Sequence, residues 1–448
     1  MWYACGSNGS GSLGTGDTVD AFTLRAVIPP LSSARDVISG GRHTLFLDVD
    51  AAAPSLIVLG EGGCAGDGCA PRASPTPLYA PRRIATAACG WDHALLLSVD
   101  GFIFGVGAGG SGRLGLGDEA GSREPVEISL HDAVDVEEEG ASDNVAFVGA
   151  GAPAAFVAAG NTHSLAVDTS GRIWVWGSAR AAAGVEPAGV RRHAVRPILR
   201  PQLLTSANDL LGIALRGVIN SGAHNSEGGE VFAGVAAGWA FSVAWTSRGR
   251  VATWGDDSWG QCGRGQGGAG ASVDEAVIAG VSASARAPRA PPAPPAWVDA
   301  LPHTVTHVAV GWAHAIALDS AGGVWAWGRN DLGQCGDGGA ASRVTTPQRI
   351  TLVCGCVETS TADDAHLCAR GIAAGAESGA ALLDCGCVCA WGWGEHGNLG
   401  GTALRVSAPQ IAVVGRATHV RAAGASLWVR LKDAPHAYEG RGKYSNFT

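Results

Sequence analysis

Residues 89–107 read CGWDHALLLSVDGFIFGVG, and two later stretches repeat the pattern: AGNTHSLAVDTSGRIWVWG at 159–177 and VGWAHAIALDSAGGVWAWG at 310–328. Each places a glycine ahead of His, then an aliphatic run, a polar turn with glycine, and a run of β-branched and aromatic residues. Glycine in the turn supplies the positive φ that a tight hairpin needs. Strands this uniformly apolar are buried on both faces. Working outward, the leading glycine recurs at Gly40, Gly90, Gly160, Gly238, Gly311, Gly375 and Gly424, at intervals of 49 to 78 residues. Gly-rich segments such as WGDDSWGQCGRG from Trp254 and WGRNDLGQCGDG from Trp327 close the units. A hairpin-based repeat of this size predicts an all-β radial array.

The ends define the closure. Residues 1–17 (MWYACGSNGSGSLGTGD) carry the second half of a unit, and residues 420–431 (VRAAGASLWVRL) carry the first half. Six complete units lie between them. Pairing the two half-repeats predicts a seven-bladed β-propeller spanning residues 1–431, with 432–448 as a C-terminal tail. Closing the ring removes the exposed sheet edges of an open array. Three insertions are read at about 120–153, 185–230 and 267–302. The first is acidic (Glu137, Glu138, Glu139), the second holds Arg191-Arg192 and the run Asn225–Glu230, and the third holds a Pro-rich run at 286–295. That Pro run is expected to be extended and unstructured.

The pattern Gly-x-x-His-Ser/Ala-hydrophobic, then hairpin, then a Trp-Gly-x-Asn-x-x-Gly-Gln-Leu-Gly segment, resembles the regulator of chromosome condensation repeat family of seven-bladed propellers. The units at 84–117, 232–265 and 305–338 match best. Those at 36–68 and 156–184 depart from it: Leu59-Gly60 replaces Trp-Gly, and Arg180-Ala181-Ala182-Ala183 replaces the Gly-rich segment. Phe241 and Ser378 stand at the His position of their units. The segments WYACGSNGSGSLGTGD and AWGWGEHGNLG (390–400) look most like the tail-less branch that includes the fungal alpha-tubulin suppressor. That resemblance implies a bare interaction propeller, a scaffold or regulatory subunit, paired with a small zinc protein in diphthamide synthesis and tRNA wobble-uridine modification. The founding activity of the family implies the alternative, guanine-nucleotide exchange on a small Ran-like GTPase.

Several chemical motifs are absorbed by the repeat. Gly9-x-Gly11-x-x-Gly14 and Gly107-x-Gly109-x-x-Gly112 match a dinucleotide fingerprint, but neither opens a helix after a parallel strand. His163, Ser164 and Asp168 imitate a hydrolase constellation. His43, His93 and His314 occupy the same repeat position, however, and are expected to hydrogen-bond backbone at blade ends. No catalytic group, cofactor or metal is expected, and the protein is read as a non-enzyme. Cys354, Cys356, Cys368, Cys385, Cys387 and Cys389 cluster late in the chain, but one-residue gaps on a strand strain a zinc chelate, so packing roles are expected. Cys262 and Cys335 stand where other units have leucine.

Net charge is −9, with only two lysines, which argues against sequence-independent DNA binding. The chromatin-bound member of the family carries a basic N-terminal tail, whereas residues 1–17 read as half a blade, so chromatin tethering is not expected. No secretory signal is evident in MWYACGSNGSG, and no apolar run reaches the ~18 residues of a membrane span. The reading is a monomeric cytoplasmic propeller, with residence in the nucleus also compatible. Trp91, Trp239 and Trp312 each follow a repeat glycine and are expected on one face of the ring. Together with Asp92 they are the partner-binding candidates, either as an aromatic docking face or as packing between neighbouring blades. The photoreceptor branch of the family has arginine after that tryptophan. Here Asp92, Ala240 and Ala313 follow, and photoreception is not expected.

Overall fold

A computed structural model describes residues 1–49, 56–61, 74–130, 152–184, 196–204, 229–265, 291–302, 304–356 and 367–432. They form seven four-stranded antiparallel sheets arranged as a propeller. Blades one to six span 36–77, 84–128, 154–203, 232–297, 305–349 and 369–413. Blade seven is the split one: Ala417–Ala423 and Ser426–Leu431 pair with Trp2–Gly6 and Ala21–Ala26, in the spatial order Ala21–Ala26, Trp2–Gly6, Ser426–Leu431, Ala417–Ala423. Trp2 lies opposite Arg430 and Gly6 opposite Ser426, so the terminal half-repeats close the ring as the sequence predicts.

Strand composition follows radial position. The innermost strands are rich in alanine (IATAAC, AAFVAA, FAGVAA), because seven of them converge on one axis and bulk must be small there. The second strands, such as His93–Ser98 and His163–Asp168, are buried at every position. Third-strand tryptophans fill the widening gap between blades. Trp176, Trp254, Trp327 and Trp391 are fully buried, and each indole N–H donates to a carbonyl of the preceding blade: Arg113, Ala182, Gln261 and Gln334, at 2.7 to 2.9 Å. A buried indole needs such a partner. In blade three the missing Gly-rich segment is replaced by a short helix, Ala179–Ala183, ended by Gly184 in the left-handed region. That turn still presents Ala181 O to Ser242 and Ala182 O to Trp254, so the inter-blade bonds survive the loss of the motif.

The ranges read as insertions contain regular structure. Ser122–Ile128, Ile198–Leu203 and Ala293–Trp297 lie within the three ranges assigned to insertions, yet each is the outer strand of its blade. Their polar, Pro-containing sequences disguise them, and proline is tolerated there because an edge strand leaves one row of amides unpaired. The end of the Pro-rich run is therefore strand rather than unstructured chain. The acidic run Glu137–Glu139, Arg191-Arg192, Asn225–Gly228, Pro run residues 286–290 and tail residues 433–448 lie outside the described residues. Among the described residues no helix is long and apolar enough to cross a membrane.

Candidate functional site: the tryptophan mouth

The seven repeat glycines form a ring about the axis. A Cβ placed on Gly160 would stand 2.6 Å from Gly238 O, and one on Gly238 2.8 Å from Gly311 O. The same contact runs from Gly311 to Gly375 O at 2.5 Å and from Gly375 to Gly424 O at 2.8 Å, and is closer still from Gly40 to Gly90 O and from Gly90 to Gly160 O. Gly424 faces Gly40 O at 3.4 Å and completes the circle. The glycines are thus required by close approach of backbone between blades. Amide donors of the following residue knit the ring: Gly41 to Gly90 O, Trp239 to Trp312 O, Trp312 to Ala376 O and Ala376 to Gly424 O, at 2.7 to 3.0 Å.

In six blades the residue after the ring glycine lines the opening: Gly41, Asn161 and Ala376 in blades one, three and six, and Trp91, Trp239 and Trp312 in blades two, four and five. The small residues leave room for the three indoles to meet. Ring centroids are 5.4 Å apart for Trp91–Trp239, 5.7 Å for Trp91–Trp312 and 4.9 Å for Trp239–Trp312, with interplanar angles of 60 to 69°. These are the tilted and edge-to-face contacts that aromatic quadrupoles favour. Trp91 also lies flat over Gly41 of the neighbouring blade, where any side chain would collide with its ring. The three tryptophans therefore share one face and pack on one another and on a neighbouring blade. Trp239 remains 37% exposed, and Trp91 and Trp312 are half-buried over a cavity of ≈ 170 Å³.

Most of the charges around this mouth are paired. Arg42 contacts Glu61 and stands 3.9 Å from Asp92. Arg113, its pKa lowered by burial against the pull of Asp92, donates to Asn161 O at 3.0 Å. Arg329 bonds Glu377 and Asp331, both at 2.7 Å, and Gln334 donates to the other oxygen of Glu377. Arg180 lies 3.6 Å from Asp256. Asp92 lies in this rim beside the indoles, and its buried Oδ1 makes no hydrogen bond.

The repeat histidines are buried, and His93 and His163 bond differently from expectation. His93 Nε2 meets Ser164 Oγ at 2.9 Å and His163 Nε2 meets Ser242 Oγ at 3.0 Å, each reaching the hydroxyl of the next blade. Those hydroxyls in turn donate to Arg113 O and Ala181 O. A serine hydroxyl thus relays the histidine to backbone. Burial pushes His43, His163 and His314 down to about 4, which leaves the imidazoles neutral. His163 does not join Ser164 and Asp168. The Asp168 carboxylate lies at the other end of the strand, held by Arg172 at 2.7 Å and Trp174 at 2.9 Å.

Comparison with known proteins agrees with this architecture. The model for the regulator of chromosome condensation (RCC1) repeat matches residues 155–180 and 305–334, and a second RCC1 repeat model matches 321–382. The chain carries RCC1 repeats on a seven-bladed propeller. In sequence it is 26% identical over 405 residues to the ultraviolet-B receptor UVR8 of Arabidopsis thaliana, covering 88% of this chain and 73% of that protein. It is 26% identical over 418 residues to the secretion-regulating guanine nucleotide exchange factor of Mus musculus, covering 91% and 77%. Human WBSCR16 superimposes with a TM-score of 0.66 at 17% identity, over 96% of this chain and 100% of that one. Prp20p of Saccharomyces cerevisiae, described with its binding to Gsp1p and histones, superimposes with a TM-score of 0.67 at 17% identity, over 96% and 92%.

The cysteines of this RCC1-repeat propeller divide into two groups. Cys262, Cys335 and Cys389 are buried as core residues, and burial pushes the Cys262 thiol up to about 12. Cys387 is buried in the core and Cys354 packs against it, as expected, but together with Cys356 and Cys385 they form a cluster that packing does not account for. Their sulfurs gather within 4.8 Å of one another, and Cys356 and Cys385 are exposed. The strain argument fails because neither Cys-x-Cys pair lies on a strand. Residues 354–356 follow the outer strand of blade five, and 385–387 form a hairpin turn around Gly386 at φ +85°. The doubled Cys-x-Cys spacing was the signal in the sequence; which pairs meet depends on the fold.

Proposed function

We propose that this RCC1-repeat propeller is a non-enzymatic interaction module of the cytoplasm whose protein partner docks on the tryptophan mouth. The observation that carries the reading is three converging indoles with Trp239 exposed, surrounded by charges most of which are paired. A central aromatic cluster inside a polar rim is the anatomy of a protein-binding hot spot. Paired rim charges offer no uncompensated positive field for a phosphate backbone. A photo-crosslinking residue in place of Asn161 should capture a protein partner, and one at Asp100, on the hairpin-turn face, should not. Capture from Asp100 alone would place the partner elsewhere and refute the docking site.

A finer reading takes the partner to be a small zinc protein acting in diphthamide synthesis and wobble-uridine modification. The resemblance of residues 2–17 and 390–400 to the tail-less alpha-tubulin suppressor branch supports it, and co-purification of that partner at one-to-one stoichiometry tests it. A second reading is supported by the mouse exchange factor matched over 91% of this chain: the partner is a small Ran-like GTPase. Substoichiometric propeller would then accelerate release of labelled nucleotide from the GTPase, whereas a scaffold would leave the rate unchanged.

A further inference from the structure

Blade six carries a cluster of thiols on the face opposite the tryptophan mouth. The repeat-glycine end of this blade pairs Ser378 with Gly392, and its other end pairs Leu382 with Val388 just before the hairpin turn. Cys385 and Cys387 lie in that turn. Cys354 and Cys356 reach it from the segment that leaves the outer strand of blade five at Arg349. Sulfur separations are 3.4 Å for Cys354–Cys385, 3.8 Å for Cys354–Cys387 and 3.2 Å for Cys356–Cys387. A tetrahedral ion with metal–sulfur bonds of about 2.3 Å has sulfur–sulfur edges of about 3.8 Å.

We propose that Cys354, Cys356, Cys385 and Cys387 hold one structural Zn²⁺ ion as a tetrathiolate site that pins the connection between blades five and six. Two features of the backbone prepare it. Gly386 adopts φ +85°, which curls the turn so that the flanking thiols face a common point, and a side chain there would crowd Arg416 N at 2.8 Å. Amide donors also converge on the sulfurs: Cys356 N–H on Cys354 at 3.4 Å, Cys387 N–H on Cys385 at 3.5 Å and Gly415 N–H on Cys387 at 3.3 Å. Such N–H···S contacts disperse thiolate charge in the shell around a metal centre. Four thiolates and no oxygen ligand select a borderline or soft ion over Mg²⁺ or Ca²⁺. Loading converts four thiols and one Zn²⁺ into the tetrathiolate and releases four protons to solvent, with no change of oxidation state.

The test is elemental analysis of the untagged full chain, isolated under reducing conditions and passed over chelating resin. The expected result is one zinc per chain, lost to background in Cys356→Ser and Cys385→Ser and retained in Cys368→Ser and Cys389→Ser. Should the first two variants fail to fold, Co²⁺ added to the metal-stripped wild-type chain is expected to give the intense visible bands of tetrahedral thiolate cobalt at one equivalent. No zinc together with no cobalt bands would overturn the proposal. So would stoichiometric iron in place of zinc, or an intact mass showing these four cysteines joined in disulfides.

Discussion

Trp239 and Trp312 are joined twice: the Trp239 amide donates to the Trp312 carbonyl at 3.0 Å, and their rings stand 4.9 Å apart at 61°. The backbone bond belongs to the ring of repeat glycines, and a residue of any kind could make it. The ring-to-ring contact is an addition made by side chains. Stability and recognition are therefore separable at this pair.

Truncation distinguishes the two roles. Trp239→Ala should cost no more than about 1.5 kcal/mol, the scale of an aromatic pair contact. Trp327→Ala, which empties a fully buried site and orphans Gln261 O, should cost about 3–5 kcal/mol. Urea denaturation of both variants checks this. Equal losses would make the mouth tryptophans part of the core.

The glycine ring makes a second contrast. Gly160→Ala forces a methyl against Gly238 O, in backbone that cannot yield without shifting a blade, and should destabilise by about 2–3 kcal/mol. Gly9→Ala meets nothing within 4 Å and should stay within about 0.5 kcal/mol of wild type. A Gly160→Ala protein as stable as Gly9→Ala would show that close approach is not what requires the glycine.

Closure of the ring predicts the effect of deletion. Residues 1–17 supply the third strand of blade seven, and Arg421–Asp36 at 3.0 Å and His396–Asp20 at 2.8 Å hold that blade to its neighbours. Removing 1–17 takes away the Trp2–Gly6 strand and leaves Ser426–Leu431 as an unpaired edge. The product should aggregate or yield early to protease. A sharp melting transition at the wild-type temperature would contradict the clasp.

The buried histidines set a pH window. An imidazole held at about 4 when folded and near 6.5 when unfolded binds more protons in the unfolded chain between those values. Their contribution is thus constant above about pH 6.5, and stability falls as pH drops toward 4. Each histidine accounts for a loss on the order of a few kcal/mol at the acid end. Phe241 occupies the equivalent position of blade four and packs on Gly238 as His163 packs on Gly160. His163→Phe should therefore fold and show a shallower acid slope. An unchanged slope would mean that His163 is not neutral in the folded protein.

Much of this was legible because the repeat states it several times. Seven glycines, the hairpin turns and the split unit at the termini gave blade number and closure, since each copy confirms the register of the others. The outer strands were not legible: SREPVEI and APPAW show no apolar alternation, because an edge strand packed on one side has little burial to record. The shared face of Trp91, Trp239 and Trp312 followed from their common position after the repeat glycine. Their mutual contact did not, because it depends on the smaller residues Gly41, Asn161 and Ala376 that line the opening in other blades. For the cysteines, spacing was judged as though they lay on a strand. Gly386 in the left-handed region is the detail that made that assumption fail.

The most direct test of the docking site is quantitative affinity enrichment of the tagged full chain from its native cells, alongside Trp239→Ala and Trp312→Ala at matched folded concentration. Loss of a hot-spot tryptophan costs about 2 kcal/mol, so one stoichiometric partner should fall roughly 30-fold in affinity in both variants. A partner retained equally by all three proteins would contradict the account.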